Sequence, residues 1–211
     1  MTPDVVAPFV RAAMERAEPV SDTLFDRLFP EEARALSAEH WTPVAVAARA
    51  VRLLTARRAT RILDVGAGSG KLCLIGALTT EARWFGIEEQ APLVGAAITA
   101  ARLLDVSTRT AFLHGEVMAI DWNAFDALYF FNPFASHLEW GAGDPVSRWS
   151  RFGELVHAAQ MRLERVRPGT RVVTYHGLGG EMPSGYDLIS HEIIGTGALD
   201  VWVRRASSTN T

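Results

Sequence analysis

The chain has 211 residues, of which 48% are hydrophobic and 21% charged, and its formal net charge is −3. This length and balance predict one soluble globular domain with a full core, with room for a helical extension. The small negative charge excludes a general electrostatic attraction to nucleic acid. Cys73 is the single cysteine, which excludes an intramolecular disulfide, and no apolar run reaches the length of a membrane span. The first residues also lack the pattern of a signal peptide, so we expect a cytoplasmic protein.

Residues 1–58 are predicted to form an N-terminal helical extension. Apolar residues recur at roughly helical spacing over 4–18, and Pro19 ends that helix. A second short apolar face follows, and a third helix is predicted for 31–38. The sequence Trp41-Thr-Pro43 offers a helix cap and a proline at the first helical position, so a long helix is predicted after it. Such an extension covers a sheet edge by plain packing or closes over a pocket, and the sequence leaves both open.

The stretch Arg61–Gly70 organises the rest of the chain. An apolar strand breaks there into three glycines separated by single residues, and an apolar, helix-prone run follows. Glycine lets bare backbone approach a ligand at the N-terminus of such a helix. A phosphate-binding P-loop is excluded, because Val65 and Leu72 stand where it needs glycine and serine or threonine. A dinucleotide fingerprint needs its third glycine at the position of Lys71 and is disfavoured.

What remains is the pattern Asp64-x-Gly66-x-Gly68-x-Gly70, which resembles motif I of the class I methyltransferases that use S-adenosylmethionine. The resemblance implies that the glycine turn passes beneath the amino-acid half of the cofactor. It also implies that Asp64 takes part in holding the cofactor, so Asp64, Gly66, Gly68 and Gly70 are the predicted binding residues of this turn. A generic glycine turn of an α/β protein is the alternative.

Two further acidic positions follow the next two predicted strands. The strand Arg83–Ile87 ends at Glu88 and Glu89, roughly twenty residues past the turn, where an acid can accept hydrogen bonds from ribose hydroxyls. Glu88 is the predicted ligand and Glu89 its solvated neighbour, and a register slip of one residue would exchange them. After the third strand, the resemblance implies that Glu116 and the backbone amide of Val117 face the adenine ring.

The segment Asn132-Pro133-Phe134 follows the fourth predicted strand, 126–131. It resembles the Asn/Asp-Pro-Pro-aromatic motif of methyltransferases that act on amino or amide nitrogens, although one proline is missing. The resemblance implies that Asn132 lies beside the cofactor and orients the acceptor nitrogen, and that Pro133 and Phe134 contact the substrate. A strand order that reverses between the first and fourth strands would put the crevice beside these residues. Plain packing of Phe134 after a strand-ending Pro133 is the alternative.

The segment 135–145 is polar and glycine-rich and is predicted to be a lid or substrate loop, with His137 as a substrate-binding candidate. His137 and Glu139 lack a third ligand at metal spacing, so no metal is predicted. A long helix, 146–167, precedes the fifth strand, which has His176 at its tip. His176 is a candidate catalytic base near neutral pH, and a hydrogen-bonded structural histidine is the alternative.

The predicted fold is α/β, with a seven-strand, mostly parallel, Rossmann-like sheet whose last strand pair is antiparallel, plus the N-terminal helical extension. We place the extension at 1–58, the S-adenosylmethionine-binding domain at 59–205 and a polar tail at 206–211. No internal repeat or linker separates these pieces.

The expected function is methyl transfer from S-adenosylmethionine to an acceptor that the sequence does not name. A nitrogen acceptor is favoured, on a small molecule or a protein rather than on nucleic acid. The stretches 85–89 and 131–134 are similar to the Dot1-like protein-lysine methyltransferases. A non-catalytic domain that binds an adenosyl ligand or a partner is one alternative, and a nicotinamide-dependent oxidoreductase is the other. The sequence leaves the oligomeric state open.

Overall fold

The computed structural model describes residues 2–34, 41–139 and 142–206. Its strands, in chain order, are β1 (Arg61–Val65), β2 (Arg83–Glu88), β3 (Thr110–His114), β4 (Ala127–Phe131), β5 (Arg171–Tyr175), β6 (Tyr186–Ile194) and β7 (Gly197–Arg204). They form one seven-stranded sheet with the order β3-β2-β1-β4-β5-β7-β6.

The sheet is parallel from β3 through β5, and β7 runs antiparallel to both β5 and β6. This confirms the predicted seven-strand, mostly parallel sheet with an antiparallel last pair. The strand order reverses between β1 and β4, which lie side by side with Asp64 opposite Tyr129. The carboxyl ends of these two strands therefore border the crevice where ligands bind in sheets of this kind.

The α-helices surround the sheet. In chain order they are α1 (Pro3–Glu15), α2 (Asp22–Phe25), α3 (Glu31–Arg34), α4 (Val44–Leu54), α5 (Lys71–Thr79), α6 (Ala91–Leu103), α7 (Ser136–Glu139) and α8 (Pro145–Leu163). Short 3₁₀ turns occur at Asp26–Leu28, Val117–Ala119 and Trp122–Ala124. Among the described ranges, no helix is long and apolar enough to cross a membrane.

Strand β1 is buried on both faces because helices cover both sides of the sheet. Ile62 packs into the hydrophobic cluster that contains residues of α1, α4, α5 and α6. Leu63 and Val65 point to the other face and pack into the cluster that contains α8. Helix α5 is buried from Lys71 to Leu78, since it lies between the sheet and the N-terminal helices, and its sequence is accordingly apolar on all sides.

The N-terminal end of α4 is capped differently from the prediction. The helix begins at Val44, so Pro43 is the residue before it and not the first helical residue. The Thr42 hydroxyl does not cap the helix, because it is hydrogen-bonded to the Tyr129 hydroxyl at 3.0 Å. The Val44 amide donates instead to Asp22 Oδ1 at 2.9 Å. A residue of α2 therefore caps the N-terminus of α4. The sequence next to α4 could not indicate this cap.

Other predicted boundaries differ by a few residues. The predicted helix 31–38 is described only as α3, and its last four residues lie outside the described part of the chain. The predicted lid segment 135–145 contains the one-turn helix α7, while Trp140 and Gly141 lie outside the described residues. Of the predicted tail 206–211, the structure describes only its first residue.

Candidate functional site

The glycine turn after β1 is held over the tip of β2. The amides of Gly66 and Ala67 both donate to the Ile87 carbonyl, at 3.0 and 2.9 Å. Gly66, Gly68 and Gly70 have φ values of +75°, +55° and +75°, in the left-handed region that side chains disfavour. The turn thus has one fixed path that ends at the N-terminus of α5.

The three glycines face different neighbours. A Cβ built on Gly66 would lie 3.0 Å from Cβ of Pro133, so the turn touches the Asn-Pro-Phe segment directly. A Cβ on Gly70 would lie 2.4 Å from the Phe112 ring, which makes this glycine a packing requirement. A Cβ on Gly68 would meet only the Trp41 ring, at an ordinary 3.8 Å. Gly68 is therefore the only one of these three glycines at which a Cβ would meet no neighbour closer than ordinary van der Waals contact.

Asp64 and Glu88 come together beside this turn. Asp64 is 4% exposed, and the Cys73 thiol donates to its Oδ2 at 3.8 Å. Burial, reinforced by the nearby charge of Glu88, raises the pKa of Asp64 to about 8. Glu88 ends β2, where its Oε2 accepts from the Gly68 amide and its Oε1 from the Gln90 amide, each at 2.9 Å. The tips of β1 and β2 thus present two acids at the turn.

Glu89 points elsewhere, which fits the choice of Glu88 as the inner acid. The Glu89 side chain is exposed, and its Oε2 lies 3.6 Å from His137 Nε2 on α7. Its backbone carbonyl lies 3.0 Å from His114 Nε2. His137 therefore links the α7 segment to the tip of β2, and its contact with a substrate stays a prediction.

Glu116 and Val117 lie just after β3, on the far side of β2 from the glycine turn. Glu116 is exposed, while Val117 is buried and opens a 3₁₀ turn. The Val117 carbonyl accepts a hydrogen bond from Trp122 Nε1 at 3.1 Å, which holds this turn against the core. The two residues are at the carboxyl edge of the sheet, and their contact with adenine stays a prediction.

A cleft runs between the N-terminal extension and the glycine turn. It is lined by Trp41, Thr42, Asp64, Gly66, Ala67, Ser69, Lys71, Leu72 and Phe131. Among these residues, Asp64 and Gly66 were predicted as cofactor ligands. Trp41, Ser69 and Lys71 were not predicted as site residues.

Two lining side chains carry buried polar atoms without a partner among the described residues. These atoms are the indole Nε1 of Trp41 and the hydroxyl oxygen of Ser69. Trp41 is 5% and Ser69 1% exposed. Buried polar groups in native proteins are normally hydrogen-bonded, so such groups in a cleft indicate ligand contacts. Ser69 stands inside the motif and could have been noticed, whereas Trp41 is 23 positions before Asp64 in the chain.

Lys71, the first residue of α5, is enclosed by the N-terminal extension. It is 3% exposed, and its Nζ lies 2.5 Å from Asp22 Oδ1 and 2.7 Å from Asp26 Oδ1. The ammonium also lies 5.8 and 5.9 Å from the ring centroids of Phe25 and Trp41, within cation–π range. The two carboxylates supply the charge that a buried ammonium requires. Lys71 is also the only lysine of the chain, and this was the one feature of the sequence that could have drawn attention to it.

Asn132 occupies a strained position at the end of β4. Its φ is +38°, and its Oδ1 is buried without a partner among the described residues. Non-glycine residues with positive φ are uncommon and often lie at functional sites. Phe134, two residues on, is 2% exposed and packs in the α8 cluster. Its ring therefore supports the turn from the core side, as the packing alternative expects, and a substrate contact stays a prediction.

His176 directly follows β5 and also has a positive φ, +56°. Its ring is exposed and stacks on the Phe131 ring with centroids 5.6 Å apart. His176 Nε2 lies 3.4 Å from the Thr196 hydroxyl, and its amide donates to the Ala198 carbonyl. Because Phe131 lines the cleft, the Phe131 ring separates the His176 ring from the cleft. A structural hydrogen bond and an exposed imidazole are both present, so the role as a base stays a prediction.

The residues that the structure describes include no group of three or more His, Cys, Asp or Glu that could hold a metal ion.

Comparison of the sequence with family models and with curated proteins finds no match. The fold, in contrast, matches many solved structures. An RNA methyltransferase from Salinibacter ruber in complex with S-adenosyl-L-homocysteine has a TM-score of 0.61 at 19% identity, over 81% of this chain and 97% of that one. A putative O-methyltransferase from Klebsiella pneumoniae has a TM-score of 0.60 at 15% identity, over 94% and 97%.

Cofactor-bound Rv0187 from MTB matches with a TM-score of 0.56 at 13% identity, over 94% of this chain and 89% of that one. At these sequence identities the similarity shows the fold alone. The similarity to Dot1-like enzymes stays a prediction. The chain has the α/β fold of the class I methyltransferases, spanning nearly the full length of two of these neighbours.

Proposed function

We propose that this protein is an S-adenosylmethionine-dependent methyltransferase that acts on an acceptor nitrogen. The observation that carries the proposal is the contact between the glycine turn and the Asn-Pro-Phe segment, through Gly66 and Pro133. This contact joins the predicted cofactor turn to the predicted acceptor segment at the reversal between β1 and β4. The methyltransferase fold supports the same reaction class.

The residues of the cleft fit such a cofactor. Asp64, which lines the cleft, is suited to accept from the ammonium of the amino-acid half. The partnerless donors of Trp41 and Ser69 are suited to an acceptor group of the ligand. We propose that Glu88 holds the ribose hydroxyls and that Glu116 and Val117 hold the adenine.

The bound sulfonium supplies a methyl group that is already activated, so the protein must mainly align the acceptor and exclude water. Asn132 Oδ1 is a buried acceptor without a partner among the described residues, and it would orient an N–H of the substrate. Phe131 lines the cleft and limits water there. His176 would take a proton from acceptors that must lose one.

The acceptor itself is proposed only by class. The neighbours' own descriptions name an RNA methyltransferase and a putative O-methyltransferase, so they do not agree on one acceptor. The Asn-Pro-Phe segment favours nitrogen, and the net charge of −3 favours a small molecule or a protein. We propose that the segment 135–145 contacts this substrate, that residues 1–58 form a cap on the domain 59–205, and that the protein acts in the cytoplasm.

The first test is calorimetric titration of the purified protein with S-adenosylhomocysteine, with NADH as the comparison ligand. We expect binding of S-adenosylhomocysteine alone. Binding of NADH alone would favour an oxidoreductase and would contradict the proposal.

The second test is methyl transfer from labelled cofactor into small-molecule and protein fractions of a lysate. Asn132→Ala should lower transfer on the order of 10²-fold while cofactor affinity is kept, because the lost contact belongs to the reacting geometry. Asn123→Ala is the matched control, since Asn123 donates to the Arg165 carbonyl away from the cleft. Unchanged transfer by Asn132→Ala would remove the nitrogen-acceptor proposal.

A further inference from the structure

Trp41 places a hydrogen-bond donor of the N-terminal extension inside the cleft. Its indole ring packs edge-on against Phe29, with ring centroids 4.9 Å apart, so the ring has a defined orientation. Its Cδ1 and Nε1 lie 3.8 Å from the position of a Cβ on Gly68. The N–H edge of the indole therefore faces the open part of the glycine turn. No acceptor reaches it among the described residues.

Ser69 supplies a second donor from the turn itself. It is the residue after Gly68, it lines the same cleft, and its hydroxyl oxygen is buried without a partner among the described residues. A hydroxyl is able to donate one hydrogen bond, and an indole N–H is only a donor. A buried donor left without an acceptor is energetically unfavourable. Two such donors in one cleft indicate a ligand that accepts from both.

The cation beside these donors is already paired, because Lys71 lies against the carboxylates of Asp22 and Asp26. The ammonium of Lys71 also lines the cleft and lies 5.9 Å from the Trp41 ring centroid. The two donors suit a carboxylate, because a carboxylate accepts through two oxygens. Asp64, on the same cleft, suits an ammonium instead. The cleft thus contains both a carboxyl group and a pair of hydrogen-bond donors. These match the ammonium and the carboxylate of an α-amino acid group.

We propose that Trp41 and Ser69 form a carboxylate subsite whose ligand is the α-carboxylate of the S-adenosyl cofactor. The inference rests on the proposed function and adds to it that the N-terminal extension is part of the cofactor site. Lys71 and Asp22 are positioning residues of this subsite. Asp22 binds both the Lys71 ammonium and the first amide of α4, which directly follows the Trp41 segment. Trp41 is thereby fixed relative to the N-terminus of α5.

The test compares two ligands and three variants by calorimetry. The ligands are S-adenosylhomocysteine and its decarboxylated analogue, which differ only in the carboxylate. Trp41→Phe removes the N–H and keeps an aromatic ring, and Ser69→Ala removes a hydroxyl that has no protein partner. Trp202→Phe is the matched control, because Trp202 Nε1 donates to the Thr174 hydroxyl between β7 and β5.

We expect Trp41→Phe and Ser69→Ala each to weaken S-adenosylhomocysteine binding by roughly 10- to 100-fold, the range for a hydrogen bond to a charged group. The affinity for the decarboxylated analogue should be the same in all proteins, and Trp202→Phe should bind both ligands as the wild type does. A selective loss of this kind cannot come from general damage to the fold.

Three results would overturn the subsite. They are equal S-adenosylhomocysteine affinity in wild type and variants, a parallel loss for both ligands, and a selective loss in only one of the two variants. In each case the wild type still binds the cofactor product, so the proposed function stands. If the wild type binds neither ligand, the proposed function fails first, and the subsite fails with it.

Discussion

Gly68 is the residue at which the backbone of the turn is most open to a ligand. We predict that Gly68→Val abolishes S-adenosylhomocysteine binding, because its side chain would enter the space between the turn and Trp41. The positive φ of +55° adds strain of about 1–2 kcal/mol to the folded state. Calorimetry measures the affinity, and urea unfolding measures the strain.

Gly169→Val is the matched control for this substitution. Gly169 has φ +83°, and a Cβ there would meet no atom within 4 Å. The control should therefore share the strain and keep the affinity. Unchanged affinity in Gly68→Val would mean that no ligand passes over this part of the turn.

Gly70 should behave in the opposite way. A Cβ there would lie 2.4 Å from the Phe112 ring and 3.0 Å from Cβ of Ala97. We predict that Gly70→Ala lowers the free energy of unfolding by about 1–3 kcal/mol through overpacking and by about 1–2 kcal/mol more through strain at φ +75°, while the folded fraction still binds S-adenosylhomocysteine. Urea unfolding and calorimetry give the two quantities. A stable variant that has lost the ligand would instead assign Gly70 to the cleft.

Asp64 should make cofactor binding depend on pH. Burial raises its pKa from 3.8 to about 8, so the carboxyl is largely protonated below that pH in the cofactor-free protein. A ligand ammonium favours the ionised form, so S-adenosylhomocysteine affinity should rise with pH up to about 8 and then level off. Calorimetry in buffers of different ionisation enthalpy should detect proton release on binding, and Asp64→Asn should bind weakly without this release.

The same pKa has a consequence for stability. Between pH 3.8 and about 8 the folded cofactor-free protein holds a proton on Asp64 that the unfolded chain releases. Stability contributed by this group therefore falls as pH rises through that window. A cofactor affinity that does not change between about pH 6 and pH 8 would contradict the proposed role of Asp64.

At the scale of elements, Lys71 connects α5 with the N-terminal extension. We predict that Lys71→Met lowers the free energy of unfolding on the order of 3 kcal/mol, because Asp26 is only 11% exposed and would lose the Lys71 ammonium. Cofactor affinity should fall as well, since Trp41 loses its support. Urea unfolding and calorimetry measure the two effects.

Arg109→Met is the control for Lys71→Met. Arg109 pairs with Glu81, whose side chain is 95% exposed, and such surface pairs contribute about 0–1 kcal/mol. The control should therefore unfold nearly as the wild type does. Equal stability of Lys71→Met and wild type would show that the extension does not depend on this ion pair.

The elements of the sheet could be predicted from sequence because their signals are local. The strand at 62–65, the glycines after it and the apolar helix that follows are one continuous pattern. The cap of α4 could not be predicted, because Val44 is capped by Asp22, 22 residues earlier. Lys71 likewise binds a carboxylate 49 positions away. Lys71 is the only lysine of the chain, but this fact does not indicate which residues it binds.

At the scale of the whole molecule, the N-terminal extension is bonded both beside the glycine turn, near the middle of the sheet, and at the edge strand β6. Lys71 and Asp22 join it to the start of α5, beside the glycine turn. Arg49 of α4 donates to both carboxylate oxygens of Glu192 on β6, at 2.8 and 2.5 Å. Paired bonds of this kind fix orientation as well as distance. The extension is therefore attached at two separated places, as a fixed cap on the cleft would require.

The arginines of the molecule are widely engaged by acids and carbonyls. Examples of arginine–carboxylate pairs are Arg11–Asp105, Arg16–Glu18, Arg49–Glu192, Arg109–Glu81, Arg151–Glu154 and Arg205–Asp187. Others donate to backbone carbonyls, as Arg61 does to Ala124 and Arg167 to Phe125. Folding thus pairs part of the positive charge with nearby carboxylates, whereas the bonds to carbonyls leave the arginine charge in place.

We therefore predict that the protein does not bind RNA tightly by itself. Its 21 basic residues are outnumbered by 24 acidic ones, and non-specific binding depends on uncompensated cations that displace phosphate counterions. Fluorescence anisotropy with a labelled single-stranded RNA and a labelled duplex should show no association near 0.15 M salt at protein concentrations up to about 10 μM. A chain without an excess of cations should bind more weakly than the non-specific dissociation constants of about 10⁻⁴–10⁻⁶ M that are typical of nucleic-acid-binding proteins. A basic RNA-binding protein titrated into the same probes shows that the assay responds. Association that weakens steeply with salt would mean that the fold gathers an arginine face after all, and would move RNA ahead of small molecules and proteins as the acceptor class.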